Sequence, residues 1–428
     1  MTNLKKLKTL LAAGKYSDEL KRVYVSDKEV EKARSRILKL SNIFTNLYGE
    51  DRDVEVFSAP GRTEVGGNHT DHNHGRVLAA AINLDAIAVA SFNDEKIIRM
   101  KSDKFEKTDI VNLETLTPIE EEKNTTPALI RGVCAGFVER GYKVGGFDAA
   151  TYSDVLSGSG LSSSASYEVL IAVILNYLYN DGKVSAIEIA QISQYAENEF
   201  FGKPCGLMDQ MACSVGGFVT IDFKNSSQPK IDKLDFTFEG SGYALCIVDT
   251  KGDHSGLNDE YAAVRLEMEA VARFFGKQNL REISREQVDG QIAALRAVVG
   301  DRALLRAYHF FNENDRVQVL VTALENKDLE SFKAAVIDSG NSSFMYNQNV
   351  FLPHEPKKEP LALALCLSEE ILKGRGAWRV HGGGFAGTIQ AFVPTDLLDE
   401  YTGRLNSAFG EKACHVLIVR PLGGTRVL

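Results

Sequence analysis

Paired cysteines, long apolar runs and an excess of positive charge are all missing from this sequence, and each absence removes a class of protein. The six cysteines, Cys134, Cys205, Cys213, Cys246, Cys366 and Cys414, are scattered with no Cys-x-x-Cys pair. This excludes a disulfide-dense secreted scaffold and points to reduced, mostly buried thiols in a cytoplasmic protein. No stretch approaches membrane-spanning length, and Leu10-Leu11-Ala12-Ala13, after three N-terminal lysines, is too short for a signal-peptide core. A formal net charge of -9 argues against nucleic acid or an anionic membrane as partner. Internal repeats and low-complexity segments are absent as well.

What remains is the composition of an ordinary globular protein, 44% hydrophobic and 25% charged. At 428 residues it has room for two or three domains with buried cores. Small-molecule chemistry is the class left standing.

The stretch that organises the chain is Leu156-Ser-Gly-Ser-Gly-Leu-Ser-Ser-Ser-Ala-Ser-Tyr-Glu168, which runs directly into the apolar Val169 to Leu175. It reads as a loop becoming a helix, with Gly158 and Gly160 permitting close backbone approach. The hydroxyls of Ser162, Ser163 and Ser164 fall where first-turn amides lack partners. Such a helix start attracts phosphate, because free N–H groups and the positive dipole end point the same way. No Lys follows the glycines, so it is not a Walker loop.

Around it, Ser26-x-x-Glu29, Ser185-x-x-Glu188 and Ser284-x-x-Gln287 read as capping boxes that open helices, the first of these opening the folded part. Val54 to Ala59 reads as a strand broken at Pro60-Gly61 into a polar loop, which puts Arg62 in a tight turn. Val77 to Ser91, Phe147 to Tyr152, Tyr243 to Asp249, Thr388 to Val393 and His415 to Val419 read as further strands. Asn341 to Pro356 lacks periodicity and reads as a loop over a site.

Three chemistries compete for the polar motifs. The His69-Thr-Asp-His-Asn-His74 loop has metal-ligand residue types, but a metallohydrolase needs a second ligand group, and His254, His309, His354, His381 and His415 are isolated. His381-Gly-Gly-Gly resembles an esterase oxyanion loop, yet no Gly-x-Ser-x-Gly pentapeptide accompanies it. Phosphoryl transfer suits the parts better, since it needs cradled phosphates, a placed Mg²⁺ and a positioned acceptor hydroxyl. Glycine- and serine-rich turns, a buried Asp209 and Arg62 match that demand.

On these motifs the chain resembles a GHMP kinase and, within that superfamily, a galactokinase. The family's Gly-Arg-x-Asn-x-x-Gly-Glu-His-Thr-Asp-Tyr-Asn is matched by Gly61-Arg62, His69-Thr70-Asp71 and Asn73. Its Gly-Leu-Ser-Ser-Ser-Ala-Ser is matched in full by Gly160 to Ser166. Ala196-Glu197, Pro204-Cys-Gly-Leu-Met-Asp209-Gln210 and Gly382-Gly-Gly-Phe-Ala-Gly387 supply the rest, in order along most of the chain.

The resemblance implies an α+β fold of two lobes, residues 1–220 carrying the sugar-binding and ATP-binding loops and 221–428 a smaller helix-covered sheet. It implies ATP-dependent phosphorylation of a hexose at its anomeric hydroxyl, galactose to galactose 1-phosphate, by a monomer or weak homo-oligomer. Asp209 would be the catalytic carboxylate and Arg62 its partner; a neighbouring guanidinium favours an ionised carboxylate. Gly158, Ser159, Gly160, Leu161, Ser162, Ser163 and Ser164 would hold ATP, with Mg²⁺ between Ser164 and Glu197. His69, Asp71 and Tyr261 would hold the sugar hydroxyls.

Three departures stand in the first motif: the family's Asn is Glu64, its Glu is Asn68 and its Tyr is His72. The family's Glu contacts the sugar near C6, so Asn68, with Glu64 nearby, opens the alternative of a C6-altered galactose such as galacturonate. A non-catalytic sugar sensor is the other alternative, disfavoured by the retained Asp209, Arg62 and Glu197.

Overall fold

A computed structural model describes residues 1–155, 160–203, 205–226, 228–252 and 257–428, Asn258 by its backbone alone. Its larger sheet takes β1 (Thr2–Asn3), β2 (Asp53–Gly66), β3 (Arg76–Phe92), β4 (Ile97–Ser102), β5 (Asp109–Asn112), β6 (Phe147–Ser153), β7 (Phe218–Asp222) and β8 (Lys230–Leu234). The order is β1-β2-β3-β6-β4-β5, with β7 and then β8 continuing from β3. The sheet is mixed: β4 and β6 run parallel and the other pairs antiparallel. The smaller sheet, β9 (Tyr243–Asp249), β10 (Ala377–His381), β11 (Thr388–Pro394) and β12 (Cys414–Leu417), is antiparallel in the order β10-β11-β9-β12. A last strand, β13 (Thr425–Arg426), returns to pair with β2.

Helices cover both sheets. On one face of the larger sheet lie α1 (Leu4–Ala12), α2 (Ser17–Tyr24) and α3 (Asp27–Tyr48), whose Leu4, Leu7, Leu11, Leu20, Ile37 and Phe44 bury against Val54, Val56 and Val89. On the other lie α4 (Thr126–Glu139), α5 (Ser163–Tyr179), α6 (Ala186–Tyr195) and α7 (Met208–Val215). Every residue of α5 from Val169 to Leu175 is buried, as expected of a helix apolar on all sides. The second half adds α8 (Asn258–Phe274), α9 (Arg285–Asp289), α10 (Ile292–Val299), α11 (Asp301–Glu325), α12 (Leu329–Ser342), α13 (Pro360–Leu372) and α14 (Leu398–Phe409). Val317 and Leu320 of α11 share a core with Val65 and Leu78 of the large sheet and Ile247 and Phe392 of the small one, so this helix joins the lobes. Among the described residues no helix is long and apolar enough to cross a membrane, and all six cysteines are free, three of them buried.

The three expected capping serines each accept an N–H from three residues on, at Ser26, Ser185 and Ser284. Other expectations need correction. The fold opens with α1 and α2, ahead of the Ser26 helix. Pro60-Gly61 does not end β2; register shifts at Pro60/Arg62 and Glu64/Gly66 let the strand bulge past the missing N–H and run to Gly66. Arg62 is therefore a strand residue. The stretch 341–356 is partly helical, with Asn341 and Ser342 in α12 and a π-turn at Ser343–Asn347. A division at residue 220 would cut β7, which pairs with β3, and β13 also lies in the first sheet, so the chain leaves that sheet after β8 and comes back at its end.

That return is fixed by a buried charge cluster. Asp85 of β3, fully buried, accepts from Arg36 of α3 at 2.7 Å, Tyr24 of α2 at 2.8 Å, Arg420 at 3.2 Å and the Ser58 hydroxyl. Burial opposes its ionisation, but Arg36 and Arg420 outweigh burial and hold the carboxyl below its ordinary range. Removing one member of such a cluster strands the rest: Asp85→Ala is expected to cost about 3–5 kcal/mol, read by denaturant unfolding. A loss under about 1 kcal/mol, the worth of an exposed pair, would show that the cluster does not anchor the chain end.

Candidate active site

Arg62 and Asp209, 147 positions apart, meet where β2 passes the start of α7. The Arg62 Nε and Nη2 both lie 2.8 Å from Asp209 Oδ1, while Nη1 donates to the Gly160 carbonyl and the backbone N–H to Leu161 O at 3.2 Å. Burial works against this guanidinium's charge, yet Asp209 and Glu64 more than compensate and raise its pKa. Ser162 donates to the other oxygen, Asp209 Oδ2, at 2.5 Å. The Asp209 side chain is 33% exposed where Arg62 is 7%, so the carboxylate is a half-open group on a buried support rather than a buried one.

Ser162 sits at the start of α5 with φ +60° and makes no side-chain cap. The expected hydroxyl caps are thus spent elsewhere: Ser162 on Asp209, and Ser164 on Glu197 Oε1 at 3.0 Å. Backbone N–H groups of the first turn are left without side-chain caps, the arrangement that favours an anion at a helix start. Gly158 and Ser159 lie outside the described residues. Glu197, in the π-turn Ala196–Phe201, is also held by Lys203 at 3.1 Å and by Gln210 at 2.7 Å. Gln210 donates as well to Glu168 at 3.1 Å, a fully buried glutamate whose carboxyl is raised well above its ordinary value by burial and then by Glu197.

The loop 67–75 supplies the sugar-facing candidates. His69 lies at φ +59° with Nε2 donating to Gly383 O at 2.9 Å, and Nδ1 is 3.3 Å from His72 Nε2. Asp71 is pushed up to about 6, first by burial and then by the carboxylates of Glu64 and Asp209. Burial lowers both His69 and His72, so neither carries a positive charge near neutrality. Tyr261 of α8 donates to Gly384 O at 3.0 Å and packs against Gly383, where an added Cβ would lie 2.6 Å from its ring. A cavity of about 760 Å³ adjoins the far side of this glycine turn, lined by Phe385, Ala386, Leu257 and Leu352 and containing none of the residues above.

Asn68 and Glu64, expected at the sugar, are both engaged with other protein groups. Asn68 is fully buried, its Nδ2 donating to Glu64 Oε1 at 3.0 Å and Gly382 O at 2.7 Å, its Oδ1 accepting from Ser343 at 3.2 Å and Asn349 at 3.0 Å. An amide with both donors used and its acceptor doubly occupied presents nothing to a ligand. Glu64 Oε1 is shared with Arg379, 2.6 Å away in β10. Arg379, His309, Glu313 and Glu168 carried no family motif, and Gln210 lay in one without a role assigned to it. For His309 and Glu313 a signal existed, since they interrupt the apolar stripe Ala303, Ala307, Phe310, Val317 and Leu320 of α11.

The description "GHMP kinases N terminal domain" matches residues 128–217, and "Galactokinase galactose-binding signature" matches residues 42–92. The class of protein is therefore a GHMP kinase. A Streptomyces coelicolor galactokinase is 32% identical over 391 residues, 90% of this chain and 97% of that one. An Enterococcus faecalis galactokinase is 31% identical over 87% of this chain and 94% of its own length. In structure, Lactococcus lactis galactokinase complexed with galactose aligns with a TM-score of 0.75 over 90% of this chain and 98% of that one, at 24% identity. A mevalonate kinase follows at a TM-score of 0.60 and 17% identity, covering 85% of this chain and 99% of its own. The chain belongs to the galactokinase family.

The burial of Asn68 changes what its substitution does. Asn68→Glu would set a second carboxylate against Glu64, and two like charges at about 4 Å cost roughly 4 kcal/mol at an effective dielectric near 20. The expected outcome is a lowered melting temperature with an unchanged galactose-to-galacturonate ratio of kcat/KM. A changed ratio in a variant as stable as wild type would return Asn68 to the sugar.

Proposed function

We propose that this chain transfers the γ-phosphoryl group of ATP to the anomeric hydroxyl of galactose. The observation that carries the reading is the Asp209 carboxylate, gripped on one oxygen by Arg62 and on the other by Ser162, at the start of α7 and beside the start of α5. A carboxylate there accepts the hydroxyl proton as the oxygen attacks, while Arg62 balances charge that shifts toward the transferring group. Gly160 to Ser164 would cradle the phosphates. The sensor alternative predicts an incomplete set of these groups, whereas Arg62, Asp209, Ser164 and Glu197 are together.

The hydroxyl–carboxylate pair Ser164 and Glu197 fits Mg²⁺, a hard cation that takes one or two protein oxygens and fills its shell with water and phosphate. When bound there it would supply charge neutralisation to the phosphates. Gln210 and Lys203 orient Glu197 for that role. His69 and Asp71 would meet the sugar hydroxyls, with Tyr261 supporting the glycine turn beside them.

The direct test is ATP consumption across a panel of sugars, with the phosphorylated position read by NMR; absence of galactose 1-phosphate would sink the proposal. Asp209→Asn keeps the shape but cannot accept a proton, and kcat is expected to fall by about 10²–10⁴ while ATP binding holds.

Asp71 gives a pH signature. Protonation near pH 6 removes a charged acceptor, so kcat/KM for galactose is expected to fall about tenfold per unit below pH 6, and Asp71→Asn to be flat there. The same raised value binds the proton more tightly in the fold than in the unfolded chain, so stability contributed by Asp71 is lost as pH rises from about 4 through 6. A decline that persists in Asp71→Asn assigns the titration to another group.

A further inference from the structure

The loop that carries His69 and Asp71 closes on itself through turn hydrogen bonds from Gly67 to Gly75, but at its entry the backbone of Gly67 and Asn68 finds its partners in side chains of α11. Glu313 Oε1 accepts the N–H of Gly67 at 3.0 Å and of Asn68 at 3.4 Å. One turn earlier on the same face, His309 Nε2 lies 2.9 Å from the carbonyl of Asn68. A carbonyl can only accept, so His309 carries its proton on Nε2, and Nδ1 accepts from the Ser342 hydroxyl at 2.8 Å. Both peptide groups flanking Asn68 are thereby held by two residues four apart on one helix.

Each grip is itself fixed. Glu313 also accepts from Ser339 of α12 at 2.6 Å and pairs with Arg316. Burial opposes its charge, but Arg316, His309 and Arg379 bring the carboxyl down to about 2, so it is ionised at any working pH. His309 is lowered to about 4 chiefly by burial, which keeps Nδ1 free to accept from Ser342. Gly67, at φ +90°, lets the loop turn into this cradle; a Cβ there would lie 2.4 Å from Arg76 O. Further along, Asn314 accepts the N–H of Arg76 at 3.1 Å, and Phe310 packs against Gly75. The helix therefore holds the loop at its entry and its exit, and unsatisfied buried peptide groups are the alternative there.

We propose that His309 and Glu313 are positioning residues for sugar binding, setting the main chain that aims His69 and Asp71 while touching neither substrate. Neither residue bonds to the Ser162 to Ser164 turn or to Glu197, so the effect is confined to the sugar side. This inference rests on the sugar-kinase reading.

The test compares Glu313→Gln, His309→Ala and His309→Gln with wild type by calorimetric titration of galactose without ATP, by KM for ATP, and by amide hydrogen exchange. Loss of hydrogen bonds to a charged group is expected to raise the galactose Kd about tenfold or more in Glu313→Gln, with the ATP KM within about twofold. His309→Ala should do likewise, and His309→Gln, whose amide keeps an N–H, should recover part of the loss. Exchange at Gly67 and Asn68 should quicken in Glu313→Gln, a readout that does not depend on which sugar is bound. Equal losses for galactose and ATP, or a lower melting temperature with unchanged galactose affinity and unchanged exchange, would overturn the proposal. Should Glu313→Gln fail to fold, the His309 pair decides by the same criteria. A wild type inert toward galactose overturns the substrate instead, and the exchange result then judges the grip.

Discussion

The contact on which the rest of the site depends is that of Arg62 with Asp209. A buried guanidinium must have its charge matched and its donors used, and here its Nε and Nη2 go to Asp209 of α7 and its Nη1 to the Gly160 carbonyl, while the Arg62 backbone N–H goes to Leu161 O of the same turn. One side chain thus sets the distance between the proposed catalytic carboxylate and the proposed phosphate turn. The planar fork of arginine makes this possible, since a lysine would bring a point charge without fixed directions. The bulge in β2 at Pro60/Arg62 places that fork, so a local defect in strand pairing serves a chemical end.

A second layer of neutral, buried polar groups ties the first lobe to the third glycine turn. His381 Nε2 accepts the Glu64 N–H at 3.2 Å, which requires Nδ1 to carry the proton and donate to Thr388 at 2.9 Å. Burial, followed by Arg62 and Arg379, holds this imidazole well below its ordinary value, so it stays neutral and keeps that pattern. Gln390 donates to Thr63 and to Glu64 O, adding two further ties between β11 and β2. The His-Gly-Gly-Gly run that superficially suggests an oxyanion loop is therefore a cross-lobe fastening: its histidine is buried in the joint and its glycines let Tyr261 and Asn349 approach the backbone.

Elements whose signal is local were legible in the sequence. Ser26, Ser185 and Ser284 marked helix starts because a cap needs only three residues, and Val169 to Leu175 announced burial because no polar face interrupts it. The family motifs carried Asp209, Arg62, Ser164 and Glu197, and the fold brings those residues together. What was not legible depends on distant partners. Pro60-Gly61 reads as a stop until the bulge and the neighbouring β3 are known. The N-terminal helices read as a tail because Leu4, Leu7 and Leu11 find their core only against α3 and β2. Asn68 reads as a ligand-facing loop residue because sequence alone does not reveal Asn349, Ser343 and Gly382, 275 or more positions away.

The exchange between positions 64 and 68 follows from that same burial. Where the galactokinase motif has Asn then Glu, this chain has Glu then Asn, and the two side chains are hydrogen-bonded at 3.0 Å. A carboxylate and an amide facing one another can trade places with little change in volume, provided that the charge finds its counter-ion from the new position. Arg379, fully buried at 2.6 Å from Glu64, supplies it, and it also donates to Val65 O at 2.8 Å. The negative charge moves from the loop into β2 without leaving the neighbourhood, and its influence on Asp71, His69 and Arg62 persists. The departure from the family pattern thus keeps a paired carboxylate beside Arg62, His69 and Asp71, and leaves the field acting on that loop in place.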